Sequence, residues 1–294
     1  MTALDGGPKL GMNMFLWSPD VTGPEHDATF ELLREIGFDG VEIPILDGEL
    51  GKYERLGRRL SDLGLAALAV SARSGDDSPI SGDPEVRARA LAATNATVDT
   101  AAALGARIVC GPLQAPLGVL SGAGPTRDER SRSVEYLRAA AEHAATRDVT
   151  IAIEYLSRFE MYLVNCAEDA ASLVREVDHP SCRLMYDTFH AHIEEADPCA
   201  ALRSCADVLV HVHASENNRG TPGSGQVAWD ATFDTLAEIG YGGWVVIEAF
   251  GDAVPEFAAA TKVWRRTFTT EEQLARDGAA FLRPRVQRLA VAGR

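Results

Sequence analysis

Eight short runs rich in valine and isoleucine punctuate this chain, and each is followed by a longer amphipathic stretch. The runs are Leu10–Phe15, Gly40–Ile43, Leu65–Val70, Arg107–Cys110, Thr150–Glu154, Arg183–Asp187, Val208–His213 and Trp244–Glu248. Strands separated by helix-length crossovers pair in parallel, and eight such units are the number that closes an α/β chain into a (β/α)8 TIM barrel. A doubly wound open sheet is the rival, but it usually carries a glycine-rich phosphate loop after its first strand. Here the first run leads into Leu16-Trp17-Ser18-Pro19-Asp20. Helix starts are signalled by Asp83-Pro84 and Asp197-Pro198, and by two capping-box patterns, Thr22-Gly23-Pro24-Glu25 and Thr269-Thr270-Glu271-Glu272. Gly37, Gly64, Gly105 and Gly240 follow helices and precede strands, which is C-cap placement.

No linker or change of composition interrupts the pattern. Residues 1–294 therefore read as one domain, with the barrel over about 9–265 and an extra C-terminal helix over about 269–294. The charge narrows the partners. With 28 Lys and Arg against 43 Asp and Glu, the net of −15 repels phosphate backbones and anionic lipid, so neither nucleic acid nor membrane is an expected partner. Five cysteines, an odd number at irregular spacing without a C-x-x-C, suit a reducing compartment and no disulfide framework. The first 17 residues lack a basic n-region and no run of 18 apolar residues occurs, so a cytoplasmic location is expected.

Chemistry concentrates at the ends of the last four runs. They close on Glu154, Asp187, His213 and Glu248, with gaps of 33, 26 and 35 residues, each about one βα unit. The C-terminal ends of barrel strands form the active-site face. By strand alternation Ala152 shares a face with Glu154, Met185 with Asp187, His211 with His213 and Val246 with Glu248. If that face is inward, four ligands converge above mostly apolar fillers. Three carboxylates in one low-dielectric mouth repel each other, and one divalent cation removes the conflict. Three oxygens and an imidazole suit manganese, cobalt or magnesium better than structural zinc. His211 reads as a second-layer histidine that orients a ligand. Loop residues add Glu160, His190 and Arg219; a cation and a neutral imidazole fit beside a developing oxyanion.

These motifs are Ile153-Glu154-Tyr-Leu-Ser-Arg-Phe-Glu160, Tyr186-Asp187-Thr-Phe-His190, His211-Val-His213-Ala-Ser-Glu-Asn-Asn-Arg219 and Val246-Ile-Glu248-Ala-Phe250. Through them the chain resembles the xylose-isomerase-like TIM barrels, and among these the ketose 3-epimerases acting on D-tagatose, D-allulose and L-ribulose. The resemblance runs from Gly11 to the segment 258–264. It implies that Glu154, Asp187, His213 and Glu248 bind one divalent metal, commonly manganese or cobalt, and that Glu154 and Glu248 double as the acid–base pair. It implies that Glu160, His190 and Arg219 hold the O1–O3 end of the sugar, and that the protein is a homodimer or homotetramer. Two departures stand out: Ser157 where Asn is usual, and Ser215-Glu216-Asn217 where Gly-Glu-Cys or Gly-Glu-Ser is common. Neither falls on a ligand position, so they bear on the sugar accepted and not on the chemistry. By position Phe15, Trp17, Ser71, Leu113 and Phe250 would face the far end of the sugar, though some of them read equally as barrel-top packing.

The implied reaction is inversion at C3 of a free ketose through a cis-enediolate, with a carboxylate on each side of the sugar plane. The same parts would serve an aldose–ketose isomerase of the hydroxypyruvate-isomerase kind, or an enolate-forming lyase or dehydratase. A sugar phosphate is disfavoured, because the chain has only Lys9, Lys52 and Lys262 and none lies in a phosphate motif.

Overall fold

The computed structural model describes residues 7–252 and 255–292. Expectations that fall on residues 1–6, 253–254 and 293–294 lie outside the described residues. Eight parallel strands close in sequence order into a barrel: β1 (Lys9–Asn13), β2 (Gly40–Pro44), β3 (Ala66–Val70), β4 (Ile108–Gly111), β5 (Thr150–Glu154), β6 (Cys182–Asp187), β7 (Leu209–Ala214) and β8 (Trp244–Ile247). Around them run α1 (Asp27–Ile36), α2 (Leu50–Asp62), α3 (Pro84–Leu104), α4 (Arg127–Ala145), α5 (Ala167–Val177), α6 (Thr188–Glu194), α7 (Pro198–Ser204), α8 (Trp229–Glu238), α9 (Pro255–Thr261) and the terminal α10 (Glu271–Ala292). Every expected run forms a strand. β1 stops at Asn13 and not Phe15, because the Asn13 side chain accepts the Phe15 N–H and turns the chain into a 3-10 turn, Met14–Leu16.

The Pro-flanked caps form: Asp83 accepts from Glu85 N, and Asp197 from Cys199 N and Ala200 N. Gly37, Gly64, Gly105 and Gly240 all take positive φ. The two expected capping boxes do not form. Thr22 bonds instead to Asp20, and Gly23 stands at the start of the next 3-10 turn. At α10 the cap shifts by one residue, with Thr270 Oγ accepting from Gln273 N. A capping box does occur at Thr126–Glu129, opening α4.

Strand alternation sorts the core into two parts. Outward residues such as Met12, Val41, Ile43, Val109, Ile153, Val212 and Val245 pack with helix residues such as Phe30, Leu56, Val98 and Leu137. Inside the barrel Leu68, Val70, Ile108, Cys110, Ala152, Met185, Trp244 and Val246 form a second cluster. Trp244 has room because its neighbours are small: a Cβ on Gly40 would lie 2.7 Å from the Trp244 ring and 2.6 Å from the Ala66 carbonyl oxygen. Arg283 of α10 binds Asp39 and the Gly37 carbonyl, fastening the terminal helix to the turn before β2. No helix among the described residues is long and apolar enough to cross a membrane, and the five cysteines are unpaired.

Candidate functional site

The register explains how four strand ends meet. Glu154 pairs with Met185, Asp187 with His213, and His213 with Val246. Asp187 therefore lies two residues beyond the partner of Glu154, and Glu248 two beyond the partner of His213. Strand tilt in a closed barrel converts that stagger into a common height at the mouth. A register shift between Leu184 and Met185 passes over Val210, and Val210 packs with the interior cluster on the same side as His211. Ala152, Met185 and Val246 lie beneath the strand ends as fillers.

The structure brings Glu154, Asp187, His213 and Glu248 together, one ligand atom from each within 4.8 Å of the others, all four buried. These groups could hold a metal ion. Among the described residues His213 Nδ1 makes no hydrogen bond, and it sits 3.3 Å from Glu248 Oε1 and 3.9 Å from Asp187 Oδ2. A fully buried nitrogen with nothing to bond, facing carboxylates, fits a cation in their midst.

The carboxyls differ sharply. Burial, and then the Glu248 charge, push Glu154 well above the usual range. Burial raises Asp187 to about 6, with Arg219 opposing and Glu248 adding. Burial would raise Glu248 too, but His213 and Arg219 outweigh it and hold it at about 2.

Arg219 follows β7 at a positive φ, 7 % exposed. Its guanidinium lies between the rings of Phe189 at 3.7 Å and Phe250 at 4.7 Å. Nη1 reaches Glu248 Oε2 at 2.6 Å and Asp187 Oδ2 at 3.1 Å. Phe250, expected against the sugar, also walls Arg219. His190 Nδ1 accepts the Ser157 N–H at 2.9 Å. Burial and Arg219 keep the ring neutral, so its single proton is on Nε2. That Nε2–H lies 3.3 Å from Arg219 Nη2 and 3.7 Å from Glu154 Oε1. Two donors face one another, which suits an oxygen acceptor placed between them.

Other expected residues fall less centrally. Glu160 accepts from Ser157 Oγ at 3.4 Å and helps hold the Arg219 charge, but no hydrogen bond ties it to Arg219 or His190 among the described residues. Trp17 ends the 3-10 turn after β1 and packs against the outer core. Phe15 packs against the interior cluster, Leu113 is fully buried in the outer core, and Ser71 is bonded to the Ile45 carbonyl and to Arg73. The departures at Ser157 and Ser215 do touch the set, since Ser215 Oγ donates to Asp187 Oδ2 at 3.1 Å and Ser157 fixes His190.

Sequence reasoning missed the layer below. Glu42 on β2 is fully buried, and Oε1 accepts from His213 Nε2 and Asn13 Nδ2, both at 2.8 Å. Oε2 accepts from Cys110 Sγ at 3.0 Å and lies 2.9 Å from His211 Nε2. Burial opposes the charge, but His213 and His211 prevail and hold the carboxyl well below its usual range. Glu216 was also missed. It accepts from Asn217 N, Gly223 N, Gln226 N, Val227 N and Trp229 Nε1, and so pins the loop that carries Arg219. The alternation applied to β5–β8 would have found Asn13 and Glu42, because Gly11 with Asn13 and Gly40 with Glu42 are inward pairs of the same kind.

Comparison with known proteins agrees with this architecture. An L-ribulose 3-epimerase of Mesorhizobium japonicum is 34% identical over 276 residues, 93% of each chain. A ketose 3-epimerase of Arthrobacter globiformis is 29% identical, covering 95% of this chain and 96% of its own. A solved L-ribulose 3-epimerase superposes with a TM-score of 0.91 at 32% identity, covering 96% of this chain and 95% of that one. A Methylomonas D-allulose 3-epimerase solved with D-allulose superposes at 0.89 and 26% identity, covering 95% and 97%. The sequence profile of the xylose isomerase-like TIM barrels matches residues 30–285, and the chain belongs to that family.

Proposed function

We propose that this chain, acting as one domain in the cytoplasm, is an isomerase that inverts C3 of a free ketose with the help of one divalent metal ion, manganese first and cobalt or magnesium next. The observation that carries the reading is the meeting of Glu154, Asp187, His213 and Glu248 at one buried point, with one ligand atom from each within 4.8 Å of the others. Glu154 at the end of β5 and Glu248 just past β8 are buried and flank Asp187 and His213 in strand order, and their surroundings favour the acid in one and the anion in the other. Environments that push paired carboxyls apart are how one site supplies an acid and a base together.

The chemistry follows from that pair. The ionised Glu248 takes the C3 proton and leaves an enediolate, whose charge falls largely on O2. Glu154 then returns a proton to C3 from the other face, which inverts the centre. The two carboxyls have then exchanged states; in that state the ionised Glu154 takes the C3 proton of the other epimer, and proton exchange with solvent interconverts the two states, so the same site serves both epimers. Arg219 Nη2 and His190 Nε2–H are the donors placed to accept the charge on the substrate oxygens. A cation held by Glu154, Asp187, His213 and Glu248 would supply Lewis acidity towards the carbonyl. The relatives named for L-ribulose and D-allulose support a small ketose. Free sugar is favoured because Lys52 is bound by Asp20 and Asp47, and Lys9 lies over the Trp244 ring. A panel of free ketoses with added manganese, scored by chromatography, tests the reading. C3 epimers are expected; aldoses as the main products would establish an isomerase instead.

We also propose a homodimer or a tetramer built from it. Leu117, Val119 and Leu120 of the β4–α4 loop, Phe159 after β5 and Ile193 on α6 are between 38% and 68% exposed. Gly118 N–H to the Glu160 carbonyl joins the first two of these loops. An apolar patch around the mouth suits a second copy.

A further inference from the structure

Three of the four strands that supply no ligand supply the support. Asn13 ends β1, Glu42 lies on β2 and Cys110 on β4, all pointing into the barrel beneath the candidate metal ligands. The carboxylate of Glu42 can only accept hydrogen bonds, and its neighbours arrange themselves accordingly. Two donors, His213 Nε2 and Asn13 Nδ2, serve Oε1, while the Cys110 thiol and the His211 ring lie against Oε2. The consequence for His213 is specific. With Nε2 held by Glu42, the ring turns Nδ1 upward, to the position found 3.3 Å from Glu248 Oε1, where it can serve as a ligand atom. Asn13 Nδ2 also lies 3.4 Å from Glu248 Oε1, so the same carboxylate constrains a second member of the ligand set.

Glu42, Cys110, His211 and His213 also sit close enough to be considered as an ion site themselves. The distances of 2.8–3.0 Å around Glu42 are those of hydrogen bonds with protons in place, and a carboxylate filled by donors needs no cation.

We propose that Glu42 is a positioning residue for the metal centre: it fixes the tautomer and orientation of His213 and, through Asn13, the setting of Glu248. This rests on the metal-dependent reading above. Such supporting contacts typically tune metal affinity by about 10- to 100-fold. The test is manganese binding, read from the free-ion signal in electron paramagnetic resonance, on the full chain, E42Q and E42D. E42Q keeps the shape and removes the charge. E42D keeps the charge and withdraws it by one methylene. Both are expected to bind one ion per chain with Kd raised roughly 10- to 100-fold, while circular dichroism of the metal-free proteins stays native.

Wild-type affinity in both folded variants would overturn the proposal and leave the metal reading intact. No binding by the wild-type chain would remove the metal reading and the proposal with it. Two ions per wild-type chain, one of them lost in E42Q, would make the lower cluster an ion site and overturn the proposal. Should neither variant fold, nitrogen NMR of histidine-labelled wild-type protein loaded with magnesium decides. A protonated Nε2 on His213 is expected, and a bare Nε2 overturns the assignment.

Discussion

Replacing Arg219 with Met separates two roles that the guanidinium combines. The thioether chain fits between Phe189 and Phe250, so packing in that slot is largely kept. What disappears is the charge beside Asp187 Oδ2 and Glu248 Oε2, and the donor facing His190. In the metal-free protein two buried carboxyls lose their partner, which costs about 3–5 kcal/mol. Asp187 already titrates near 6, and without Arg219 it moves higher. A folded-state pKa above the unfolded value makes ionisation a burden on the fold, so stability is lost as pH rises between the two values. The metal-free variant should therefore melt at a higher temperature at pH 5 than at pH 7.5. Catalysis should fall by about 10²–10³ in kcat, the range for loss of one oxyanion donor. Manganese affinity should hold or rise, because a neighbouring positive charge that competes for Asp187 and Glu248 has gone. Calorimetry for stability, a manganese titration and turnover on the best ketose read the three effects. A parallel fall of manganese affinity and activity would refute the reasoning, since Arg219 would then act by holding the ligands and not by meeting the substrate.

Three further outcomes follow from the same geometry. E154Q and E248Q should each lose inversion by about 10²–10⁴, yet each should still exchange the C3 hydrogen of one epimer, a different one in each; loss of exchange in the same epimer by both, with metal retained, would mean that only one glutamate is a base. Metal affinity should fall as pH drops through about 6, where Asp187 gains its proton; an affinity flat from pH 8 to pH 5 would contradict this. F159E should lower the mass measured by light scattering from oligomer to monomer, and an unchanged mass would place the interface elsewhere.

The barrel was legible because hydrophobic runs, proline-flanked caps and C-cap glycines all agree locally, and none depends on distant pairing. The set Glu154, Asp187, His213 and Glu248 was legible because each ends a strand, and alternation by itself puts each on the same side as its filler. Glu42 escaped for the opposite reason. It does not end its run, and only the alternation carried over to the first strands, where Gly40 and Glu42 share a face, brings it inward. Arg219 was found as a charge, but its partners come from β6, β8 and α6, and no sequence spacing reports them. The capping boxes failed at Thr22 and Thr269 because short side chains near a helix start have several hydrogen-bond partners within reach. Asp20 took Thr22, and Thr270 displaced Thr269 as the cap.

The central claim is that this site moves a proton at C3 of a ketose. The direct measurement is proton NMR of a free ketose, L-ribulose or D-allulose, incubated with the manganese-loaded protein in deuterium oxide and freed of metal before the spectrum. The account predicts deuterium at C3 of both epimers, none at C1, and no aldose. Deuterium at C1 with an aldose accumulating would contradict it.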